Sequence, residues 1–278
     1  MLVIAIFTSV RVFSGIVSHI NSSKELTEKD NPAFGISMAG IVLAVTIILS
    51  GAIYGDPIYT LSESVISVGL YGVLGILLMA VTRIIFNKIA MPSESVRDEI
   101  VKGNVAVAII DAGNVIATSI IIRAMMMWVD ANTFDGIVSI LVGFVISQIL
   151  LTGATLVRIK ILNKKIHNNS LKEEFKTGNI AIALRFAGRK IGTAFAVAAA
   201  SNVLVFELYD VPMLLLIWSG VSVVMIAALS LLSMIASKVI MAGINVEDEI
   251  IRQKNVAIGV IQCVIYISLG ILLSELIS

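Results

Sequence analysis

The chain has 278 residues, of which 58% are apolar and only 14% are charged, and its mean hydropathy is +1.01. Soluble domains average about 45–50% apolar and about 25% charged residues, so this chain has too little polar surface for a water-soluble fold. A net charge of +1 argues against a nucleic-acid partner, and a single cysteine excludes an intrachain disulfide. The composition therefore predicts an integral membrane protein.

Apolar segments long enough to cross a bilayer recur along the whole chain. A helix of about 20 residues spans the hydrocarbon core, which is roughly 30 Å thick. The predicted spans cover residues 1–20, 33–54, 62–87, 104–128, 134–162, 179–206, 211–238 and 255–277. These runs are continuous rather than alternating, which predicts an all-α polytopic transmembrane helical bundle with seven or eight spans. The count depends on the first span, which Arg11 interrupts.

The connections between the predicted spans alternate in charge. Those after the odd-numbered spans are basic, with residues such as Lys24, Arg97 and Lys164. Those on the opposite side are acidic, with Asp56 and Asp130 among their residues. The positive-inside rule therefore predicts that the basic linkers lie in the cytoplasm and that both termini lie outside.

A sequence motif recurs four times, at the start of each even-numbered span. Each copy has an asparagine, an acidic residue six positions before it, an alanine two positions after it, and small residues four and eight positions after it. Three copies also have glycine at the ninth position after the asparagine. The asparagines are Asn31, Asn104, Asn179 and Asn255, and the glycines are Gly40, Gly113 and Gly188. The motif predicts four parallel helix-pair repeats, at 1–55, 56–130, 131–208 and 209–278, within one membrane domain.

The spacing within the motif has a packing explanation. Positions four and eight after the asparagine share one helical face, and small residues there let helix backbones approach closely in lipid. The asparagine can hydrogen-bond across such a seam, and the acidic residue complements the positive end of the helix dipole. This interpretation accounts for the asparagine, alanine and glycine columns without a transported substrate.

The pattern Asn-x-Ala-x-Ala-x4-Gly at 104–113 and 179–188, after an acidic and basic linker, resembles the YjfL-like family of bacterial inner-membrane proteins of unknown function. In that family the helix-pair unit occurs in tandem. The resemblance implies a tandem-repeat architecture and a location in the bacterial inner (plasma) membrane. It implies no activity and no substrate.

Ionisable and amide side chains inside the predicted spans are the candidate pathway residues. A charged side chain at the bilayer centre costs about 2.5–3.5 kcal/mol, so such residues often have a function. The candidates are Asp111, Lys190, Arg189, Arg185, Gln262 and Asn114. We expect Asp111 and Lys190 to meet across the central seam. Two alternatives remain open: span six begins after residue 190, or the charges form an ion pair that only fixes helix register.

The sequence contains no catalytic motif and no metal-ligand spacing, which predicts a protein that is not an enzyme and holds no metal or cofactor. Two functions fit the remaining features. One is a transporter or channel for a small ion or polar solute along a central small-residue seam, with Arg189 favouring anions. The other is a membrane scaffold or envelope-stress partner that docks a cytoplasmic protein through basic linkers such as 158–176. The lipid bilayer is the expected partner in both, and homo-oligomers remain open.

Overall fold

The computed structural model describes residues 21–54, 61–90, 95–128, 134–164, 171–204 and 210–277. These residues form eleven α-helices and contain no strand. The long helices are α2 (Pro32–Tyr54), α3 (Leu61–Ala90), α5 (Val105–Trp128), α6 (Phe134–Asn163), α8 (Ile180–Asn202), α9 (Val211–Ile240) and α11 (Val256–Glu275). The short helices are α1 (Ser22–Thr27), α4 (Val96–Val101), α7 (Leu171–Lys176) and α10 (Val246–Ile251). Each short helix directly precedes one long helix, so all four lie at one end of the bundle, which we call the linker end.

Six of the described helices are long and apolar enough to cross a membrane. They are Pro32–Ile53, Gly69–Ile89, Val105–Trp128, Ile137–Asn163, Pro212–Ile240 and Val256–Glu275. The prediction of an all-helical, multi-pass integral membrane protein is therefore confirmed, whereas its count of seven or eight spans is not. The first predicted span, 1–20, lies outside the described residues. The sixth, 179–206, corresponds to helix α8, which ends at Asn202, and its charged side chains keep it out of this set.

The long helices pack in two layers. Helices α2, α5, α8 and α11 lie side by side in that order and form the central row. Helices α3, α6 and α9 form the outer layer, in which each helix packs against two neighbouring helices of the row. Seventeen residues of α5 and seventeen of α8 are buried. The charged helix α8 is therefore enclosed by protein, which is the usual environment of intramembrane charges.

Neighbouring helices of the central row touch through the glycine and small-residue columns of the motif. The contacts join Gly40 to Ala112, Gly113 to Ala187 and Gly188 to Cys263. A Cβ atom added to Gly40 or Gly113 would lie 2.6 Å from the facing alanine Cβ, and one added to Gly188 would lie 2.5 Å from the facing Cα. The ninth position of one copy thus packs on the eighth position of the next. In the fourth copy the ninth position is Val264, which is 54% exposed.

Each motif asparagine caps its own long helix. The side-chain oxygen of Asn31 accepts hydrogen bonds from the backbone N–H groups of Ala33 (3.1 Å) and Phe34 (3.2 Å). The residue before each asparagine has a positive φ: Asp30, Gly103, Gly178 and Lys254. Glycine adopts this conformation at no steric cost, which accounts for its presence in the second and third copies. The caps satisfy N–H groups that would otherwise be orphaned at the helix start.

Candidate functional site

Asp111 forms a buried ion pair with an arginine of the outer layer. The guanidinium of Arg83 on α3 donates from Nε to Asp111 Oδ1 at 3.0 Å and from Nη2 to Asp111 Oδ2. The hydroxyl of Ser37 on α2 donates to the same carboxylate at 2.7 Å. Three helices therefore meet at Asp111. Our sequence-based expectation paired Asp111 with Lys190, but the carboxylate is paired with Arg83 instead.

Lys190 lies in the middle of the bundle and donates a hydrogen bond to Asn114 Oδ1 on α5. Its Nζ also lies 4.4 Å from the centroid of the Phe86 ring, which is a cation–π contact. Lys190 is 6% exposed and Asn114 is 1% exposed. Among the described residues, Lys190 has no carboxylate within ion-pair distance. A buried ammonium with only neutral partners is costly, so this position needs an explanation.

A small cavity adjoins Lys190, and we call it the lysine cavity. Its volume is about 10 Å³, close to what one water molecule needs. Its polar lining consists of Thr82, Asn114, Gln148, Thr152, Thr155 and Lys190. These residues come from α3, α5, α6 and α8, so the lysine cavity lies between the central row and the outer layer. It does not lie in the glycine seams, where the sequence analysis expected the polar pathway.

Two further arginines lie beside Lys190, and among the described residues neither has a carboxylate within ion-pair distance. Arg158 on α6 donates from Nη2 to the hydroxyl of Thr193 at 2.6 Å. The guanidinium of Arg189 lies over the Tyr266 ring, 4.7 Å from its centroid, and its Nε has no hydrogen-bond partner. The region around α8 therefore carries three cations that form no direct ion pair with a described carboxylate; Asp111 and Glu247 act on Lys190 and Arg189 only at longer range.

The other two candidates face different neighbours. Arg185 donates from Nη1 and Nη2 to the two carboxylate oxygens of Glu247 on α10, at 3.0 and 2.9 Å. Gln262 is 1% exposed and donates from Nε2 to Ser237 on α9 at 2.9 Å. Arg185 therefore ties α8 to the linker end, and Gln262 lies between α9 and α11. The structure brings neither residue to the lysine cavity.

The motif asparagines also join successive copies. Nδ2 of Asn104 donates to the backbone carbonyl of Phe175 at 3.0 Å, and Nδ2 of Asn179 donates to that of Ile250 at 3.1 Å. The asparagine of one copy thus holds the short helix of the next copy. Asn31 does the same with Ile100 at 3.0 Å. The recurring contact ties the short helices together at the linker end.

A glutamate in each short helix receives the remaining amide hydrogen of the motif asparagine. It is Glu25, Glu99, Glu174 or Glu249 in the four copies. In the second and third copies this acid stands five residues before the asparagine, not six, because their turns are one residue shorter. A hydrogen bond from Lys29 lowers the pKa of Glu25, and one from Lys102 lowers the pKa of Glu99.

Sequence reasoning missed the role of the two arginines on the outer layer. Arg83 and Arg158 each stand 21 residues before a motif asparagine, a spacing that could equally mark the end of a span. Their repeated position at the same depth was the available signal for a structural role. Within the described residues, no cluster of three or more His, Cys, Asp or Glu side chains could hold a metal ion.

Comparisons with known proteins identify a family. A family model described as Domain of Unknown Function (DUF350) matches residues 1–126 and again residues 132–277. No curated protein and no solved structure matches the chain significantly. The double match agrees with the expectation of an uncharacterised family with tandem repeats, although it does not carry the YjfL name. The two matches cover nearly the whole chain, which therefore belongs to the DUF350 family of domains of unknown function.

Proposed function

We propose that the protein transports a small anion across the membrane. One observation carries the proposal: Lys190, Arg189 and Arg158 are clustered inside the bundle, and among the described residues none of them has a carboxylate within ion-pair distance. Holding cations that form no direct ion pair away from water is costly, and such charges in membrane proteins commonly mark an ion pathway. The excess positive charge favours an anion as the transported ion. No step of this function is enzymatic, and none uses a metal or cofactor.

The transport function requires α8 to be a seventh span. Gly188 packs on Cys263 of α11, and Ala187 packs on Gly113 of α5. These partners lie within the candidate spans Val105–Trp128 and Val256–Glu275. This side-by-side packing supports a helix that enters the bilayer near residue 180 rather than after residue 190. The segment 1–20 would be the eighth span.

The proposed pathway runs between the central row and the outer layer. The glycine seams are filled by close contacts between backbones, whereas the lysine cavity lies on the side of the row that faces α3 and α6. In the proposed orientation the basic linkers are cytoplasmic, both termini are outside, and the membrane is a bacterial inner membrane. An anion from the cytoplasm would pass the linker end before it reaches Lys190.

The proposal is tested by anion flux from proteoliposomes. Vesicles loaded with potassium chloride, with valinomycin to carry the balancing potassium, should release chloride faster when they contain the protein than when they are empty. Lys190→Met should abolish the difference. Lys160→Met is the matched control, because Lys160 is an exposed cation near the end of α6. Equal release from protein-containing and empty vesicles for chloride, nitrate and thiocyanate would refute the proposal.

A non-transporting scaffold is the second candidate function. The close glycine contacts and the asparagine ties to the next short helix favour a rigid assembly whose linker end presents four similar short helices. That surface would bind a cytoplasmic protein, or a second copy of the chain in a homo-oligomer. If the protein is a scaffold, the Lys190→Met variant should complement a deletion strain. A variant in which the basic residues of 158–176 are neutralised should not. A transporter should show the opposite pattern.

A further inference from the structure

The lysine cavity contains hydrogen-bond donors that nothing in the described structure satisfies. Asn114 Nδ2 and Thr82 Oγ1 are both buried and have no hydrogen-bond partner. Most buried polar groups in proteins are paired, so two unpaired groups that line one cavity mark it as a position suited to a polar ligand. The third donor is the ammonium of Lys190, which has three N–H groups and only one hydrogen-bond acceptor, Asn114 Oδ1.

The orientation of the Asn114 amide follows from the lysine. Lys190 Nζ can only donate, so the amide oxygen must face it and the amide nitrogen must point elsewhere. Exchanging the amide oxygen and nitrogen would place two donors against each other. The unpaired Nδ2 is therefore a consequence of the lysine, and a different assignment of the amide would not remove it.

The donors and the charge define the chemistry of the occupant. A cation, an amide N–H and a hydroxyl converge on the lysine cavity, and the residues that line it include no carboxylate. Charge-assisted bonds from such donors stabilise an anion about twice as strongly as neutral ones, and an anion would also offset the buried charge of Lys190. The cavity is small and partly open, and a monatomic anion is the kind of anion that needs the least space in it.

We infer that the lysine cavity is a binding site for a single halide ion, held by Lys190, Asn114 and Thr82. This inference rests on the proposed transport of an anion and names its binding site, but binding is measurable without transport. A halide at this position would lie between α3, α5 and α8, beside the cation–π contact of Lys190 with Phe86. It would lie against the ammonium of Lys190, which has no described carboxylate within ion-pair distance.

The test is thermal unfolding of the purified protein in detergent, with bromide replacing gluconate at constant ionic strength. A ligand that binds only the folded state raises the unfolding midpoint by a constant increment per tenfold rise in concentration above its dissociation constant. For a chain of this size we expect about 3–5 °C per tenfold rise in bromide. Lys190→Met should remove the dependence on bromide, and Lys160→Met should retain it.

Thr82→Val is a second test of the site, needed in case the Lys190→Met variant does not fold. Valine matches the shape of threonine and removes only a hydroxyl that has no partner, so this variant should fold well and should be at least as stable as the wild type in gluconate. It should nonetheless show a smaller bromide effect. A crystal grown in bromide should also show an anomalous scattering peak within hydrogen-bond distance of Lys190 Nζ.

The outcomes separate the site from the transport function. A midpoint that is independent of bromide, or one whose dependence survives Lys190→Met, overturns the inference and leaves water as the occupant. Bromide-dependent stabilisation without chloride flux keeps the site and refutes the proposed transport. Chloride flux with a midpoint independent of bromide keeps the transport function and refutes the site.

Discussion

Loss of Arg83 should destabilise the fold more than loss of its partner Asp111. The Asp111 side chain is 2% exposed, whereas that of Arg83 is 34% exposed. Arg83→Met leaves a buried carboxylate with the Ser37 hydroxyl as its remaining described partner. Removing one member of a buried ion pair in this way costs about 3–5 kcal/mol. Asp111→Asn leaves the more exposed arginine, and losing its charge-assisted bonds costs nearer to about 1.5 kcal/mol.

The expected order is measurable as unfolding midpoints of the purified variants in detergent. At about 2–4 °C per kcal/mol for a chain of this size, Arg83→Met should lower the midpoint by about 6–20 °C and Asp111→Asn by about 3–6 °C. The double variant removes both charges, so its midpoint should lie near that of Asp111→Asn. Lys160→Met, which changes an exposed cation on α6, should leave the midpoint unchanged.

Two results would refute this reasoning. If Arg83→Met is no more damaging than Asp111→Asn, the difference in burial does not determine the cost. If the double variant shows the sum of the two single effects, the side chains do not act as a pair, because interacting residues give non-additive changes.

Three further predictions concern the seams and the linker end. Gly188→Ala should lower the unfolding midpoint by overpacking, at a cost of about 1–3 kcal/mol, whereas Gly220→Ala, which has no neighbour within 4 Å, should raise it slightly. Asn179→Ala should lower the free energy of unfolding by about 1 kcal/mol more than Asn255→Ala, because it also loses a hydrogen bond to the next copy. Folding lowers the pKa of Glu99, so its carboxylate stabilises the fold above about pH 4.5, and this stabilisation is lost as the pH falls below that value. The unfolding midpoint of a Glu99→Gln variant should therefore fall less on acidification than that of the wild type.

The membrane class and the helices were predictable from composition and from the apolar runs, because lipid imposes length and polarity on every span. The small-residue columns also predicted close helix contacts. The sequence did not predict which helix each column would contact, because a helical pattern shows which residues share a face but not which neighbouring helix covers that face. The contact of Gly113 with Ala187 thus became visible only in three dimensions.

The candidate site was predictable in its residue types and not in its pairings. Lys190 and Asn114 were both expected in one polar network, and they are hydrogen-bonded to each other. Asp111 was expected to meet Lys190 because both lie on the asparagine face of equivalent helices. The outer layer changes this, because the rotation of α3 against α5 brings Arg83 to the carboxylate. Spacing along one helix carries no information on the rotation of its neighbour.

Glycine at the ninth position of one copy packs on the small residue at the eighth position of the next copy. The two sides of each repeat therefore differ, and the central row has a direction. The contact between the two halves matched by the family model, Gly113 on Ala187, repeats the contacts within each half. Head-to-tail contacts of this kind do not close on themselves by a twofold axis. Val264 occupies the position through which a further unit would dock. Its branched side chain stands where the other three copies have glycine, so this side of α11 lacks the close-contact surface that joins the rest of the row.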